Sequence, residues 1–180
     1  DGEVRWAREP DTPLPPASLT KILTALELLG EDWDADAIVT VSPRAAALEG
    51  TRMRLRAGER LHAGDLLTGL VVASANDACI ALAEHAAGSV EAFMARLAVR
   101  ARDLGLAGTR YANPCGLPAE DHATTARDLL RMGERAMALP EYARRAALES
   151  ATVTTLAGRR ITLRTTNMLL GRVPGVTGVK

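Results

Sequence analysis

The chain has 180 residues, of which 22 are basic and 22 acidic, so its formal net charge is zero. This balance disfavours a nucleic-acid binder or a polybasic membrane binder, because both depend on an excess of Lys and Arg. The length fits about one domain, and no apolar run approaches the roughly 18 residues that a bilayer-spanning helix needs.

The first part of the chain predicts short elements around one strong helix. Residues 1–8 alternate weakly after a turn signal and predict the second arm of a hairpin. A Pro-rich stretch then leads into a helix that runs from Ala17 to Gly30 with apolar residues at the helical period. Residues 38–41 predict a strand, Ser42-Pro43 begins a short helix, and residues 51–56 predict a strand or an extended loop.

The rest of the chain predicts more helices and a second hairpin. Helices are expected after Gly64-Asp65, at residues 77–85, after Ser89, from Thr124 to about Leu139, and from Pro140, and residues 151–164 predict a hairpin around Ala157-Gly158. The expected fold is therefore α+β, a helical cluster flanked by strand pieces. The strands are too few for a full sheet.

Lysine is scarce, since 20 of the 22 basic residues are Arg and only Lys21 and Lys180 are Lys. A genome biased towards Arg explains the scarcity but not the two positions that remain. Lys and Arg are not interchangeable where an amine must lose a proton, because a guanidinium stays charged in any protein setting. Both lysines are therefore candidate functional groups.

Lys21 follows Ser18 by three residues at the start of the first long helix, so the hydroxyl and the amine can meet on one face. A Ser hydroxyl needs a base to become a nucleophile, and a Lys with a lowered pKa can be that base. In the alternative interpretation, Ser18 is a helix cap and Lys21 is a solvated residue of the first turn.

Ser74 and Asn76 lie in a break between two apolar helices, where they predict either ordinary helix caps or polar groups of a protected cleft. In the second case the hydroxyl can relay a proton and the amide can anchor Lys21 and a substrate carbonyl. Lys180, preceded by Gly178, is either a frayed terminal residue or an ammonium that binds a substrate carboxylate.

Together these residues resemble the set S-x-x-K, S-D-N and K-T-G of penicillin-binding proteins and class A β-lactamases, with Ser74-Ala75-Asn76 at the second motif and Lys180 at the Lys of the third. Residues 16–24 and 73–79 resemble the first and second motifs of the serine D-alanyl-D-alanine carboxypeptidases, the low-molecular-mass penicillin-binding proteins. Further similar segments cover essentially the whole chain: residues 50–59, 104–106, 113–117, 122–128 and 167–180. The Thr and Gly that the family has after the third-motif Lys do not follow Lys180.

The resemblance implies a role for each residue. Ser18 would be the acylated nucleophile, Lys21 its general base and Ser74 a proton relay, so these three are the expected catalytic residues. Asn76 and Lys180 would bind the substrate, the latter through its terminal carboxylate. No cofactor and no metal ion are expected.

The resemblance also implies the activity. The chain would remove the terminal D-alanine from peptidoglycan stem peptides through an acyl-enzyme on Ser18, and β-lactams would acylate the same residue. It would act outside the cytoplasmic membrane, secreted or anchored through other parts. The expected domain is a single D,D-peptidase catalytic domain over residues 1–180, with a penicillin-binding protein or β-lactamase-like fold. We expect it to be truncated before its first strand and after Lys180, leaving the sheet incomplete.

Two alternatives stay open: a D,D-endopeptidase that cuts peptidoglycan cross-links, and a non-catalytic penicillin- or cell-wall-binding module. A β-lactamase is less well supported, since no Glu-containing deacylation segment resembles that family's.

Other reactive side chains give weaker signals. Cys79 is typical of a core residue and Cys115 lies in a loop, and the two fit a reduced pair as well as a disulfide. His122 precedes a helix cap and predicts a structural role. Four arginines, at positions 52, 54, 56 and 60, predict a solvated face, with steering of an acidic polymer as the other interpretation.

Overall fold

The computed structural model describes residues 4–180. Within them lie seven α-helices and four strands, bounded as follows: α1 Thr20–Leu28, β1 Ile38–Thr40, α2 Pro43–Ala46, β2 Arg60–His62, α3 Ala63–Val72, α4 Asn76–Ala87, α5 Val90–Asp103, α6 Ala126–Met137, α7 Pro140–Ala146, β3 Ser150–Thr154 and β4 Arg160–Arg164. The α+β fold class predicted from the sequence is confirmed.

Helix α1 lies at the centre of the helical cluster and packs against α3, α4, α5 and α6. All nine of its residues are buried, including the polar Thr20, Lys21, Thr24 and Glu27. A buried polar group is costly unless it finds a hydrogen-bond partner inside the protein. Glu27 finds two, since its carboxylate oxygens accept from Arg96 at 2.8 Å and Arg100 at 2.9 Å, both on α5.

Helix α3 is apolar almost all round, and Leu66, Leu67 and Leu70 are fully buried. Strand β2 runs directly into it and pairs antiparallel with β1, with Val39 opposite Leu61. The second hairpin, β3 and β4, packs against α3 and places Thr152 opposite Thr162. These two small sheets fit the expectation of an incomplete sheet.

Two predicted elements differ in detail from the structure, and a third takes one of the two forms predicted for it. Residues 4–8 form no strand, and residues 1–3 of that predicted arm lie outside the described residues. Residues 51–56 form an extended loop in which buried Met53 and Leu55 alternate with exposed arginines. The Ala17–Leu19 segment is a 3₁₀ turn that leads into α1.

No helix in residues 4–180 is long and apolar enough to cross a membrane.

Asp77, in the first turn of α4, fixes the extended loop. Its carboxylate oxygens accept the backbone N–H groups of Met53 and Leu55, both at 3.0 Å, and that of Ala78 at 2.9 Å. The carboxylate is buried, and it is the acceptor for the backbone N–H groups of the two buried loop residues, Met53 and Leu55. The loop in turn borders Asn76, whose backbone N–H donates to the Thr51 carbonyl at 2.8 Å.

We expect Asp77→Ala to lower the free energy of unfolding by about 2–4 kcal/mol, because it leaves buried N–H donors without an acceptor. Urea denaturation followed by circular dichroism measures the change. The control is Asp103→Ala, an exposed aspartate at the end of α5, which should change the free energy by less than about 0.5 kcal/mol. Equal effects from the two substitutions would contradict the role given to Asp77.

Candidate active site

Ser18 lies in the 3₁₀ turn ahead of α1, half-buried, and its Oγ does not cap the helix. Its hydroxyl oxygen instead accepts a hydrogen bond from the Lys21 amine, with Nζ and Oγ 3.2 Å apart. The interpretation of Ser18 as a plain helix cap is therefore wrong. The spacing of three residues brings the hydroxyl and the amine together as expected.

The Lys21 amine is fully buried, and no carboxylate is among its hydrogen-bond partners in residues 4–180. Its Nζ donates to Ser18 Oγ, to Asn76 Oδ1 at 2.8 Å and to the Cys115 carbonyl at 2.5 Å. Burial lowers the pKa of Lys21 from 10.5 to about 8. The interpretation of Lys21 as a solvated residue is wrong.

Asn76 is the first residue of α4, and its side chain connects the Lys21 amine to the backbone at Glu49. Its Oδ1 accepts from Lys21, while its Nδ2 donates to the Glu49 carbonyl at 2.9 Å. Both ends of the amide are thus used, which fixes its orientation. The expectation that this amide anchors Lys21 agrees with these bonds.

Ser74 occupies the break between α3 and α4 with a φ of 59°, which is unfavourable for a residue with a side chain. The turn is held by the Ala75 N–H, which donates to the Gly69 carbonyl at 3.1 Å. Ser74 is buried, and no hydrogen bond within residues 4–180 engages its hydroxyl. Such a hydroxyl is available to a substrate group.

Lys180 makes no direct bond to Ser18, Lys21 or Asn76. Its Nζ donates to the Leu70 carbonyl of α3 at 2.9 Å. Burial, and then the positive charge of Lys21, lower the pKa of Lys180 from 10.5 to about 7. The charge of Lys21 thus acts on the Lys180 amine, although no hydrogen bond joins Lys180 to the other site residues.

His122 supports the turn that carries Ser18. The Ala112 N–H donates to its Nδ1 at 3.0 Å, so the ring proton lies on Nε2 and points to Thr20 Oγ1 at 2.8 Å. Thr20 Oγ1 donates in turn to the Ala17 carbonyl at 2.8 Å. Burial lowers the pKa of His122, which favours this neutral form. These contacts agree with a structural role.

The loop of residues 113–117 contributes contacts that the sequence reasoning missed. Besides the Cys115 carbonyl on Lys21, the Pro114 carbonyl accepts from Thr24 Oγ1 at 2.6 Å. A backbone carbonyl is present at every position, so residue type alone could not identify these two. What the sequence does indicate is a turn at Asn-Pro-x-Gly, residues 113–116, in which Gly116 has a φ of 81°.

Cys79 and Cys115 form a disulfide, with their Cα atoms 5.9 Å apart. This settles the pairing that the sequence left open and excludes a free Cys115 thiol as a nucleophile in this state. No group of three or more His, Cys, Asp or Glu side chains that could hold a metal ion occurs in residues 4–180.

The geometry therefore provides a hydroxyl beside a buried amine with a lowered pKa. An amine that has lost its proton can take the proton of Ser18 and turn the hydroxyl into a nucleophile. Ser74 precedes Asn76 by two residues and has a hydroxyl that no hydrogen bond within residues 4–180 engages, while the Lys180 amine is bonded to α3. This arrangement fits acyl transfer.

Comparison with known proteins supports the same assignment. Residues 1–180 match the peptidase S11 family, described as D-alanyl-D-alanine carboxypeptidase. The chain is 33% identical over 184 residues to the D-alanyl-D-alanine carboxypeptidase DacF of Bacillus subtilis, covering 99% of this chain and 47% of DacF. It is 33% identical over 132 residues to a D-alanyl-D-alanine endopeptidase of Pseudomonas aeruginosa, covering 73% of this chain and 42% of that protein.

The crystal structure of the Streptomyces K15 DD-transpeptidase superposes with a TM-score of 0.91 at 27% identity, covering 97% of this chain and 73% of that one. The chain thus has the fold of the penicillin-binding DD-peptidases, and it spans about half the length of the curated relatives it matches. The chain belongs to the peptidase S11 family of D-alanyl-D-alanine carboxypeptidases.

Proposed function

We propose that residues 1–180 form a single catalytic domain of a serine D,D-carboxypeptidase, which removes the terminal D-alanine from peptidoglycan stem peptides. The observation that carries the proposal is the Ser18–Lys21 pair, in which a buried amine lies 3.2 Å from a hydroxyl and has no carboxylate partner among residues 4–180. Membership of the peptidase S11 family supports the choice of substrate.

In the first step, neutral Lys21 takes the Ser18 proton while Oγ attacks the carbonyl carbon of the D-Ala–D-Ala bond. Collapse of the tetrahedral intermediate breaks the peptide bond. Ser74 passes a proton to the departing amine of D-alanine and takes one from the Lys21 ammonium, which returns to the neutral amine. Water then hydrolyses the ester on Ser18 and regenerates the hydroxyl. β-Lactams acylate Ser18 by the same attack on their ring carbonyl.

Two other residues bind the substrate in this scheme. Asn76, held by Lys21 and the Glu49 carbonyl, presents its amide at the N-terminus of α4. Lys180 supplies an ammonium for the terminal carboxylate of the stem peptide, for which its amine has to leave the Leu70 carbonyl or share its donors with it. Because peptidoglycan lies outside the cytoplasmic membrane, we place the activity there.

A D,D-endopeptidase activity on peptidoglycan cross-links is a second candidate, favoured by the similarity to the P. aeruginosa endopeptidase. The proposed residues serve both reactions. Incubation with a stem pentapeptide and with a cross-linked dimer, followed by chromatography, distinguishes them. Release of free D-alanine from the pentapeptide supports the carboxypeptidase, whereas cleavage of the dimer alone supports the endopeptidase.

We expect a fluorescent penicillin to label the chain covalently and Ser18→Ala to abolish the labelling, because the substitution removes the attacking oxygen. Denaturing gel electrophoresis measures the adduct. The control is Ser150→Ala, an exposed serine of β3, which should label like the unmodified chain. Absence of labelling in the unmodified chain would refute acylation by it, and labelling without D-alanine release would support a penicillin-binding module.

We expect Lys21→Arg to lower the acylation rate by at least about 100-fold, since a guanidinium keeps the charge but cannot accept the proton. Stopped-flow measurement of penicillin acylation gives the rate. Lys180→Arg provides the comparison and should cause a smaller loss, because binding a carboxylate requires only a positive charge. Acylation at a normal rate by Lys21→Arg would exclude Lys21 as the base.

The acylation rate should depend on pH with an optimum between the pKa values of Lys180 and Lys21, which are lowered to about 7 and about 8. Below the optimum the base Lys21 is protonated, and above it Lys180 loses the charge that binds the carboxylate. Rates measured from pH 5.5 to 9.5 test this.

In the Lys180→Arg variant the charge at position 180 no longer titrates, so the rate should rise with pH through a midpoint near the pKa of Lys21, about 8, and then stay level. If the rate of this variant falls again at high pH, loss of the Lys180 charge does not explain the fall in rate above the optimum.

A further inference from the structure

The loop of residues 113–117 is organised by the side chain of Asn113. Its Oδ1 accepts the backbone N–H groups of Cys115 at 3.1 Å, Gly116 at 2.8 Å and Leu117 at 3.0 Å. Its Nδ2 donates to the Leu117 carbonyl at 2.8 Å. These four hydrogen bonds of one amide fix the loop, whose Pro114 and Cys115 carbonyl groups face α1.

This loop is pressed against the turn that carries the nucleophile. A Cβ atom on Gly116 would lie 1.9 Å from the Ala17 carbonyl oxygen and 2.9 Å from the Ser18 nitrogen. Both values are far below van der Waals contact, so the backbones of the two segments touch. The position of the loop and that of the Ser18 turn therefore depend on each other.

The disulfide connects this loop to the second group that binds Lys21. Cys79 follows Asn76 by three residues on α4, so the two lie on one helix face. Cys115 carries the carbonyl that accepts from Lys21 and is bonded through its sulfur to Cys79. The two neutral acceptors of the amine, Asn76 Oδ1 and the Cys115 carbonyl, are thus held relative to each other by a covalent link.

The disulfide bears on how a neutral Lys21 amine is oriented. A neutral Lys21 has two N–H donors and one lone pair, and the lone pair must face the Ser18 hydroxyl if Lys21 is to act as a base. The Asn76 and Cys115 oxygens can only accept, so they take the two N–H donors. With both acceptors fixed, the lone pair is left for Ser18.

Resting on the proposed function, we propose that Asn113 and the Cys79–Cys115 disulfide are positioning groups for the base. They hold the Cys115 carbonyl against Lys21, which directs the lone pair of the amine at Ser18 and keeps water away from it. Loss of the disulfide would make the Cys115 carbonyl more mobile and let water reach Lys21. Both the rate of acylation and the pKa of Lys21 would then change.

Besides Lys21, the buried side chains of residues 4–180 that are acidic, basic or imidazole are Glu27, Asp77, His122 and Asp128. Each of them is hydrogen-bonded to partners other than the Lys21 amine. Lys180 is bonded to the Leu70 carbonyl, and its pKa is lowered first by burial and then by the charge of Lys21. A change in the protonation of Lys21 on reduction therefore reports the loop and its hydration.

The first arm of the test uses the full chain in its oxidised form, after reduction by a phosphine, and as Cys79→Ser/Cys115→Ser. Opening the link should lower the rate constant of acylation from bound penicillin by about 10-fold or more, with little change in the dissociation constant of the non-covalent complex. Phosphine should have no effect on the Cys79→Ser/Cys115→Ser variant, which controls for the reagent.

The second arm measures Lys21 without any reaction. Because the chain has only two lysines, ¹³C-lysine labelling gives two Cε signals, and Lys21→Arg assigns them. The midpoint of Lys21 should lie near 8 in the oxidised chain and move towards 10.5 after reduction, because hydration favours the charged form. Asn113→Ser, whose neutral hydroxyl can still accept from the loop N–H groups, should shift it less than Asn113→Ala.

The outcomes distinguish the positioning role of Asn113 and the disulfide from the proposed function. Equal acylation rates and equal Lys21 midpoints in oxidised and reduced chains would overturn the positioning role. If the oxidised chain is not acylated at all, the proposed function fails for it, and the Lys21 midpoint alone decides the positioning role. If the reduced chain does not fold, as judged by circular dichroism, the order of the two Asn113 variants in the oxidised chain decides it.

Discussion

The Lys21 amine lies on a helix with no exposed residue, and its hydrogen-bond partners are a hydroxyl, an amide oxygen and a backbone carbonyl. An unpaired charge at such a position is costly, and the pKa of Lys21 falls to about 8 as a consequence. The rest of the site can be understood as what is needed to hold this amine, largely deprotonated at mildly alkaline pH, next to Ser18.

Three separate parts of the chain meet at the amine. Helix α1 supplies Lys21 together with the Ser18 turn, the start of α4 supplies Asn76, and the loop of residues 113–117 supplies a carbonyl. Each part is fixed by polar contacts rather than by apolar packing alone. Asp77 holds the loop beside Asn76, His122 acts through Thr20 on the Ser18 turn, and the disulfide joins α4 to the third part.

Much of this arrangement could be predicted from local patterns. The spacing of Ser18 and Lys21 implies contact on one helical face, and the break at residues 74–76 interrupts two apolar helices, so both features follow from the helical period. The scarcity of Lys pointed to the two amines whose pKa values burial lowers. Most helices and the 151–164 hairpin were also predicted with bounds close to those observed.

The features that could not be predicted depend on contacts between distant parts of the chain. The Cys115 carbonyl lies 94 residues from Lys21 in sequence, and no residue type marks a carbonyl as a ligand of an amine. The disulfide was ambiguous because two cysteines in one chain fit either redox state. The bond from Lys180 to the Leu70 carbonyl likewise depends on how the terminal segment packs on α3, which a local pattern does not contain.

The most direct test of the central claim, that Ser18 beside the Lys21 amine is the acylated residue, is to locate the adduct after incubation with benzylpenicillin. Trypsin cuts after Arg8 and Lys21, so the peptide of residues 9–21 contains Ser18 as its single serine, whereas Ser74 lies in the peptide of residues 61–96. Tandem mass spectrometry should find the penicilloyl group on Ser18 in the first peptide. An adduct on Ser74 instead, or an unmodified Ser18 in a folded chain, would contradict the account.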